Sequence, residues 1–237
     1  MKIEVSLSPA LYPFRTVKEH HVTVAIDVLR ATTAVCAAFQ AGCDTVVPLD
    51  TLDGIGRFRD RGFLIAAERG GKKLPGSDYG NSPTEYLRSD MHGIRLAYST
   101  TNGTVSILRG ADADITLVGC FANLSALAER LCHEDKDTVL LCSGWQIDFC
   151  IEDTLVAGAI IEKLQGVGEA HGDAANMALA LWQVAKDDPF GYCQRCTHVH
   201  RLYGFGDAAT DDVAFAFRQD TCPIVPVLKN GELKIER

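Results

Sequence analysis

The sequence lacks the features that mark several classes of protein. No apolar run is long enough to span a bilayer, and the N-terminal segment MKIEVSLSPA has no apolar core of the kind that signal peptides carry. The formal net charge is −8 and the basic residues form no stripe, so a surface for nucleic acid or anionic lipid is not expected. We therefore expect a cytoplasmic protein that binds neither nucleic acid nor membrane.

Several familiar catalytic motifs are also absent. The chain has no Walker A sequence, no G-x-G-x-x-G and no G-x-S-x-G, which argues against P-loop, dinucleotide-binding and α/β-hydrolase sites. The cysteine count, nine, is odd, which does not suit a disulfide framework. Six cysteines within or near apolar segments are expected to be buried free thiols, namely Cys36, Cys43, Cys120, Cys132, Cys142 and Cys150.

Apolar strand-like runs alternate with helix-like segments over most of the chain. Strands are predicted at 21–27, 45–49, 63–68, 94–99, 114–120 and 138–144, and helices at 31–41, 52–61, 151–165, 173–186 and 192–203. This alternation predicts an α/β fold of layered α/β/α type with a mostly parallel, mixed sheet. Asn230-Gly231 predicts a C-terminal antiparallel hairpin that adds strands to the edge of the sheet. We expect one domain over 1–237; two closely packed lobes that meet near 145 are the alternative.

Polar side chains follow the ends of these strands. Asp27 and Arg30 follow the strand HVTVAI, Glu68 ends FLIAAE, and the strand IRLAY runs into STTNGT. In an open α/β sheet the carboxyl ends of the parallel strands share one rim, where ligands bind. Carboxylates, hydroxyls, an arginine and helix N-termini on that rim suit Mg²⁺ together with a phosphate.

The rim hypothesis gives two sets of candidate residues. The candidate metal ligands are Asp27, Glu68, Glu152 and Asp212. The candidate contacts to an anionic substrate are Arg30, Thr32, Thr33, Lys72, Lys73, Asn81, Ser82, Thr100, Thr101, Asn102 and Gly103. Several of these have a simpler explanation, because Thr, Ser and Asp are common helix caps and acids complement a helix N-terminus. By spacing alone the two explanations of IDVLRATT are about equal.

The segment Cys193-Gln-Arg-Cys196-Thr-His198-Val-His200 has the residue types of a zinc site. Its spacing fits no usual zinc finger, and we interpret it as a partly buried helix. A zinc protein built on Cys193, Cys196, His198 and His200 remains an alternative.

Five stretches together resemble the 2-phosphosulfolactate phosphatase family: IDVLRATT, ERGGKK…DYGNSPTEY, STTNGT, EDTLVAGA and Asp212-Val213. They run in the family's order and span about 21–226. The resemblance implies a Mg²⁺-dependent phosphatase that hydrolyses 2-phosphosulfolactate to 3-sulfolactate and phosphate, a step toward coenzyme M. The segment 186–203 departs from the family's pattern, so the resemblance supports the type of reaction better than it supports the identity of the substrate.

On this basis we expect Asp27 and Glu68 to contribute to a Mg²⁺ site and Arg30 to stabilise phosphoryl charge. Asp78 is the expected general base, and Lys72 or Lys73 the expected partner of the substrate's carboxylate or sulfonate. Asp27 as a covalent nucleophile is the competing mechanism. A non-catalytic module that binds a phosphorylated metabolite is the other functional alternative. A homodimer is plausible at this chain length.

Overall fold

The computed structural model describes residues 1–146 and 148–236. The strands are β1 (Lys2–Ser6), β2 (His21–Ile26), β3 (Thr45–Pro48), β4 (Leu64–Arg69), β5 (Lys72–Lys73), β6 (Arg95–Ser99), β7 (Ile115–Gly119), β8 (Asp137–Cys142), β9 (Glu169–His171), β10 (Pro226–Lys229) and β11 (Glu232–Ile235). The helices are α1 (Ala31–Gln40), α2 (Arg57–Asp60), α3 (Pro83–Arg88), α4 (Gly103–Arg109), α5 (Leu124–Glu134), α6 (Ile151–Lys163), α7 (Asp173–Ala185), α8 (Pro189–Cys193), α9 (Thr197–Tyr203) and α10 (Asp207–Ala216).

Within the described residues the strands form one mixed sheet in the order β5-β4-β6-β3-β11-β10-β7-β2-β8-β1-β9. Two parallel groups make up most of it. One contains β4, β6 and β3, and the other contains β7, β2, β8, β1 and β9. The mostly parallel α/β sheet predicted from the sequence is confirmed.

The C-terminal hairpin is confirmed, but its predicted position at the edge of the sheet is wrong. β10 pairs antiparallel with β7, and β11 pairs antiparallel with β3, so the hairpin lies between the two parallel groups. Both groups would otherwise present unpaired backbone N–H and C=O groups at this junction, and the hairpin satisfies them. The Asn-Gly turn signal predicts a hairpin but carries no information about its partners.

Alternate residues of the central strands contact different cores. Val24 of β2 packs with α5 and α6, whereas its neighbour Ala25 packs with α1. Ala66 of β4 belongs to the same buried cluster as Ala25 and α1, so α1 packs with both halves of the sheet. This placement brings the ends of β2 and β4 toward each other, although five strands separate them in the sheet order.

Some elements differ from the sequence-based prediction. The segment predicted as one helix over 192–203 is two helices, α8 and α9, because the chain turns between Cys193 and Thr197. The predicted helix over 52–61 shrinks to the single turn of α2. Strands β1 and β9 and helix α10 were not predicted; both strands are short, and β9 is only partly buried, so neither shows a clear period. Ser82, a predicted substrate contact, caps α3, since its Oγ accepts from Glu85 N at 3.2 Å.

The cysteines are free thiols, and all are buried except the exposed Cys132, for which burial was predicted. Cys132 lies on α5 outside its buried positions, which are occupied by leucines and Ala128. None of the described helices combines the length and apolar character needed to cross a bilayer.

His21 makes the stability of the fold depend on pH. Burial and the nearby Arg15 charge lower the pKa of His21 from its usual value of 6.5. Between the pKa values of His21 in the folded and unfolded states, the unfolded chain binds a proton on His21 and the folded chain does not. Lowering the pH through this window therefore lowers the free energy of unfolding. We expect the urea midpoint to fall between about pH 7.5 and about pH 5.5, and to fall less in His21→Gln. Equal falls in the two proteins would contradict this.

Candidate active site

Two buried carboxylates mark the centre of the site. Asp27 follows the end of β2, and Glu68 lies near the end of β4. Burial raises the pKa of Asp27 to about 6, and the negative charges of Glu68 and Glu152 add to the rise. Acidic groups from three separate parts of the chain are therefore close enough to repel one another. A bound cation relieves such repulsion.

The turn after β2 is held by its own side chains. Asp27 Oδ1 accepts from Ala31 N at 3.1 Å, Thr32 Oγ1 donates to the Asp27 carbonyl at 2.8 Å, and Thr33 Oγ1 donates to the Val28 carbonyl at 2.8 Å. Both threonines are fully buried. The geometry assigns them to the turn itself, and the substrate contact predicted for them would require them to leave it.

Glu68 joins the loops after β4 and β6. Its Oε2 accepts from Gly71 N at 2.6 Å, and its Oε1 accepts from Thr101 N at 2.5 Å. Gly70 N donates in turn to Thr101 Oγ1 at 3.0 Å. Backbone donors thus fix the position of the carboxylate.

Two hydrogen-bond acceptors fix the orientation of the Arg30 guanidinium. Its Nη1 donates to Asp212 Oδ2 at 2.6 Å, and its Nη2 donates to the Gly71 carbonyl at 2.7 Å. Ser82 Oγ and Thr84 Oγ1 each donate to Asp212 Oδ1 at 2.7 Å. Because both oxygens of Asp212 are engaged, the geometry makes it a positioning residue for Arg30. Its role as a metal ligand stays a prediction.

The turn after β6 leads directly into α4. Thr100 Oγ1 accepts from Thr104 N at 3.1 Å, and Thr104 Oγ1 accepts from Thr100 N at 3.1 Å, so Thr100 is buried in this turn. Asn102 instead reaches the cavity beside Asp27, and its Oδ1 accepts from Gln146 N at 3.2 Å. Of these polar residues, Asn102 is the one placed to meet a ligand.

Gly103 is the point where α4 approaches Asp27. A Cβ at this position would lie 2.3 Å from Ala31 Cβ and 2.7 Å from Asp27 Oδ2. We expect Gly103→Ala to displace the Asp27 carboxylate and to destabilise the fold by about 1–3 kcal/mol through overpacking. Urea denaturation beside Gly56→Ala, whose Cβ would meet no atom within 4 Å, measures this. Equal midpoints for the two variants would show that the contact is not tight.

Two cavities meet at Arg30. The smaller, about 10 Å³, has room for about one water molecule or ion. It is lined by Asp27, Leu29, Arg30, Glu68, Gly71, Asn81, Asn102, Trp145, His198, Arg201 and Leu202. The larger, about 790 Å³, has a cationic lining that includes Arg30, Lys72, Lys73 and Arg88, together with Asn81, Ser82 and Phe205.

Lys72 and Lys73 lie on β5 at the large cavity, as the sequence suggested. Lys72 Nζ lies 5.3 Å from the centre of the Phe205 ring, and Lys73 Nζ donates to the Asp78 carbonyl at 2.6 Å. Both lysines are exposed, so they place positive charge at the entrance rather than beside the buried carboxylates.

Asp78 does not join the carboxylate cluster. Its Oδ2 accepts from Ile65 N at 2.8 Å, near the start of β4, whereas Glu68 lies about 10 Å further along that strand. Asp78 lines neither of the two cavities that meet at Arg30. Burial alone would raise the pKa of Asp78, but the hydrogen bonds from Ile65 N and Arg59 and the Arg59 charge together outweigh it and lower the pKa. The geometry gives it a structural role, and its general-base role stays a prediction.

Four residues of the site were not among the predicted Mg²⁺ ligands or substrate contacts, although His198 was named in the zinc alternative. Asp153 links α6 to the β2–α1 turn, because its Oδ1 accepts from Val28 N and its Oδ2 from Gly144 N, both at 2.9 Å. Burial, together with the Asp27 and Glu152 charges, raises the pKa of Asp153. The other three are Trp145, His198 and Arg201.

The Arg201 guanidinium lies 3.2 Å from the centre of the Trp145 ring. His198 Nδ1 lies 2.6 Å from Glu152 Oε1. In the sequence, the acidic residues at the start of α6 point to Asp153, but acidic residues at that position also fit a simple helix cap. Arg201 and His198 are three residues apart on one face of α9, and nothing in the sequence pairs that face with β2 or β4.

The zinc alternative is not assembled as the sequence suggested. Among residues 1–146 and 148–236, the potential metal ligands found within 4.8 Å of one another in a group of three are Cys150, Glu152 and His198. This set contains neither His200 nor the Cys193–Cys196 pair. Cys193 and Cys196 lie at the break between α8, which ends at Cys193, and α9, which begins at Thr197, so they do not share one helix face with His200.

The fold and the site define a mixed α/β protein with buried carboxylates and a fixed arginine at the base of a cationic cleft. A family model described as 2-phosphosulpholactate phosphatase matches residues 7–231. A protein of Caldanaerobacter subterraneus subsp. tengcongensis, named "Probable 2-phosphosulfolactate phosphatase", is 35% identical over 222 residues, which are 92% of this chain and 91% of the relative.

Two further relatives carry the same name. The protein of Synechococcus sp. (strain JA-3-3Ab) is 38% identical over 209 residues, 86% of each chain, and that of Microcystis aeruginosa is 32% identical over 244 residues, 100% of each. The chain belongs to the 2-phosphosulpholactate phosphatase family. The family and the phosphoric monoester hydrolase class predicted from the sequence are confirmed.

Proposed function

We propose that this chain hydrolyses 2-phosphosulfolactate to 3-sulfolactate and phosphate in a Mg²⁺-dependent reaction. One observation carries the proposal: Asp27, Glu68 and the doubly held Arg30 share one small cavity at the base of a larger cationic one. A metal ion needs the negative carboxylates, a phosphoryl group needs the positive arginine, and this cavity places both side by side. Family membership supplies the substrate class.

The donors at the centre suit Mg²⁺. This ion prefers oxygen ligands, keeps several waters and uses only one or two carboxylates. Asp27 and Glu68 offer carboxylate oxygens. Burial, with a smaller effect of the Glu68 and Glu152 charges, raises the pKa of Asp27, and a bound cation would favour its charged form. Bound there, Mg²⁺ would supply Lewis-acid polarisation of the phosphoryl group.

The phosphoryl oxygens would be held by donors already in place. Arg30 keeps its guanidinium at the junction of the two cavities, so its charge needs no rearrangement during the reaction. Asn81 lines both cavities, and Tyr98 OH donates to its Oδ1. This contact orients the Asn81 amide so that its nitrogen is the group available to donate. Asn102 is the second amide at the small cavity.

The rest of the substrate would lie in the larger cavity. 2-Phosphosulfolactate carries a carboxylate and a sulfonate besides its phosphate, and Lys72, Lys73 and Arg88 give that cavity a positive lining. Because Lys72 and Lys73 are exposed, their contribution is expected to fall with increasing salt. This arrangement explains how a chain of net charge −8 attracts an anion.

Two pathways for the transfer depend on Asp27 Oδ2. In the first, a water attacks phosphorus and passes its proton to this oxygen while the bond between phosphorus and the sulfolactate oxygen breaks. In the second, Oδ2 attacks phosphorus itself, the sulfolactate oxygen leaves, and water then attacks the phosphorus of the aspartyl phosphate and releases phosphate. Acid quenching of a single turnover separates them, because only the second pathway leaves the phosphoryl group covalently bound to the protein before water releases it.

Phosphate release from 2-phosphosulfolactate and from 2-phospholactate, both with Mg²⁺, tests the proposed function. We expect kcat/KM to be roughly 10- to 100-fold higher for the sulfonated substrate, since a charged hydrogen bond contributes about 1.5–3 kcal/mol. Equal values would leave a phosphatase that does not recognise the sulfonate. Binding of both compounds without phosphate release would favour the non-catalytic module.

A further inference from the structure

A second group of possible ligands lies beside the carboxylate cluster. Cys150 and Glu152 are at the start of α6, and His198 is in the first turn of α9. Their donor atoms all lie within 4.8 Å of one another. Cys150 Sγ is 3.7 Å from His198 Nδ1, which in turn is 2.6 Å from Glu152 Oε1. Two helices therefore bring a thiol, an imidazole and a carboxylate close together.

The group is incomplete in one respect. The Glu152 side chain is 1% exposed, and its Oε2 has no hydrogen-bond partner among the residues that the structure describes. Buried carboxylate oxygens are normally satisfied by a donor or a cation. The His198 imidazole contacts Oε1, so it does not satisfy the second carboxylate oxygen, Oε2.

The spacing suits a tetrahedral ion of the zinc class. With metal–nitrogen bonds of about 2.0–2.1 Å and a metal–sulfur bond of about 2.3 Å, tetrahedral ligands lie roughly 3.3–3.6 Å apart. The separation of Cys150 Sγ and His198 Nδ1 is close to this value. Glu152 would supply the third ligand through Oε2, the oxygen that His198 does not contact. Thiolate and imidazole favour Zn²⁺ over Mg²⁺, which prefers oxygen.

The group also has an entry path. Cys150, Glu152 and His198 line a cavity of about 380 Å³ that is separate from the large cationic one. Cys196 lines the same cavity but does not belong to the three-ligand group. Three protein ligands with a fourth position open to a cavity form a common arrangement for a zinc ion that is not purely structural.

We propose that Cys150, Glu152 and His198 bind one divalent cation of the zinc class, in a site distinct from the oxygen site of Asp27 and Glu68. Cys150 would bind as a thiolate, so its proton passes to solvent when the ion enters. The ion would take the place of the hydrogen bond between His198 and Glu152 and would join α6 to α9. The proposed Mg²⁺ site uses Asp27 and Glu68 and shares none of these three ligands, although His198 also lines the small cavity beside them.

Cobalt titration of the chelator-treated full chain tests the site, with millimolar Mg²⁺ present throughout to occupy the oxygen site. We expect one Co²⁺ per chain, a thiolate-to-cobalt charge-transfer band in the near ultraviolet, and loss of that band when Zn²⁺ is added. Cys150→Ser should abolish the band and weaken Co²⁺ binding at least tenfold. Cys196→Ser, the control thiol in the same cavity, should keep the band and the affinity.

His198→Gln provides a second variant should Cys150→Ser fold poorly, and it should lower Co²⁺ affinity on the same scale. No charge-transfer band in the wild-type protein would overturn the proposal. A band that survives Cys150→Ser, or that disappears in Cys196→Ser, would also overturn it by assigning the thiolate to another cysteine. None of these readouts depends on phosphatase activity, so the result is independent of the proposed function.

Discussion

Replacement of Asp27 by asparagine is expected to lower the rate of phosphate release on the order of a thousandfold, the scale on which loss of one preorganised electrostatic group lowers a rate. Asparagine keeps the side-chain oxygen that accepts from Ala31 N, so the turn after β2 should persist. It removes the charge that repels Glu68 and Glu152. The variant should therefore be at least as stable as the wild type while losing activity.

Steady-state phosphate release and the melting temperature, measured on the same preparations, check both parts of this prediction. Asp78→Asn is the matched comparison, since this acid was also a sequence-based candidate but is bound to Arg59 and Ile65 N away from the cluster. It should keep most of the wild-type rate. If Asp27→Asn were fully active at saturating Mg²⁺, both pathways proposed for Asp27 would fail.

Replacement of Arg30 by lysine is the second large effect. Lysine keeps the positive charge but cannot donate to Asp212 and the Gly71 carbonyl while also facing the phosphoryl group. We expect kcat to fall about 100-fold or more. We also expect a loss of stability, approaching about 3–5 kcal/mol if the Asp212 carboxylate is left without a charged partner.

Arg59→Lys gives a matched control for the Arg30 prediction. Arg59 also pairs with an aspartate, Asp78, at 3.0 Å, but that pair is partly exposed and lies away from the cavities. Its replacement should change kcat little and stability by less than about 1 kcal/mol. The account would be contradicted if Arg30→Lys and Arg59→Lys had equally small effects on kcat.

The rule that ligands bind at the carboxyl ends of parallel strands predicted the centre of the site. Asp27 and Glu68 each follow an apolar strand, and the structure brings both to one cavity together with Asn102. This convergence could be predicted because it depends on strand direction, which the alternation of strands and helices reveals. It does not distinguish a side chain that faces the cavity from one that closes its own turn, as Thr32 and Thr33 do.

Contacts between distant segments could not be predicted in this way. Asp212 reaches Arg30 across 182 positions, and His198 reaches Glu152 from a separate helix. The hairpin was predicted from its turn, but its insertion between β3 and β7 depends on which edges the rest of the sheet leaves unpaired. Local patterns indicate elements and their ends, whereas these pairings depend on the packing of the whole chain. Cytoplasmic location and a homodimer stay predictions.

Phosphate release from 2-phosphosulfolactate, measured with Mg²⁺, after EDTA treatment and after Mg²⁺ is restored, tests the central claim most directly. The account predicts release with Mg²⁺, loss of release with EDTA and recovery when Mg²⁺ returns, because Asp27 and Glu68 are proposed to hold the ion beside Arg30. Release that is unchanged by EDTA would contradict the claim that these carboxylates form a Mg²⁺ site on which the reaction depends.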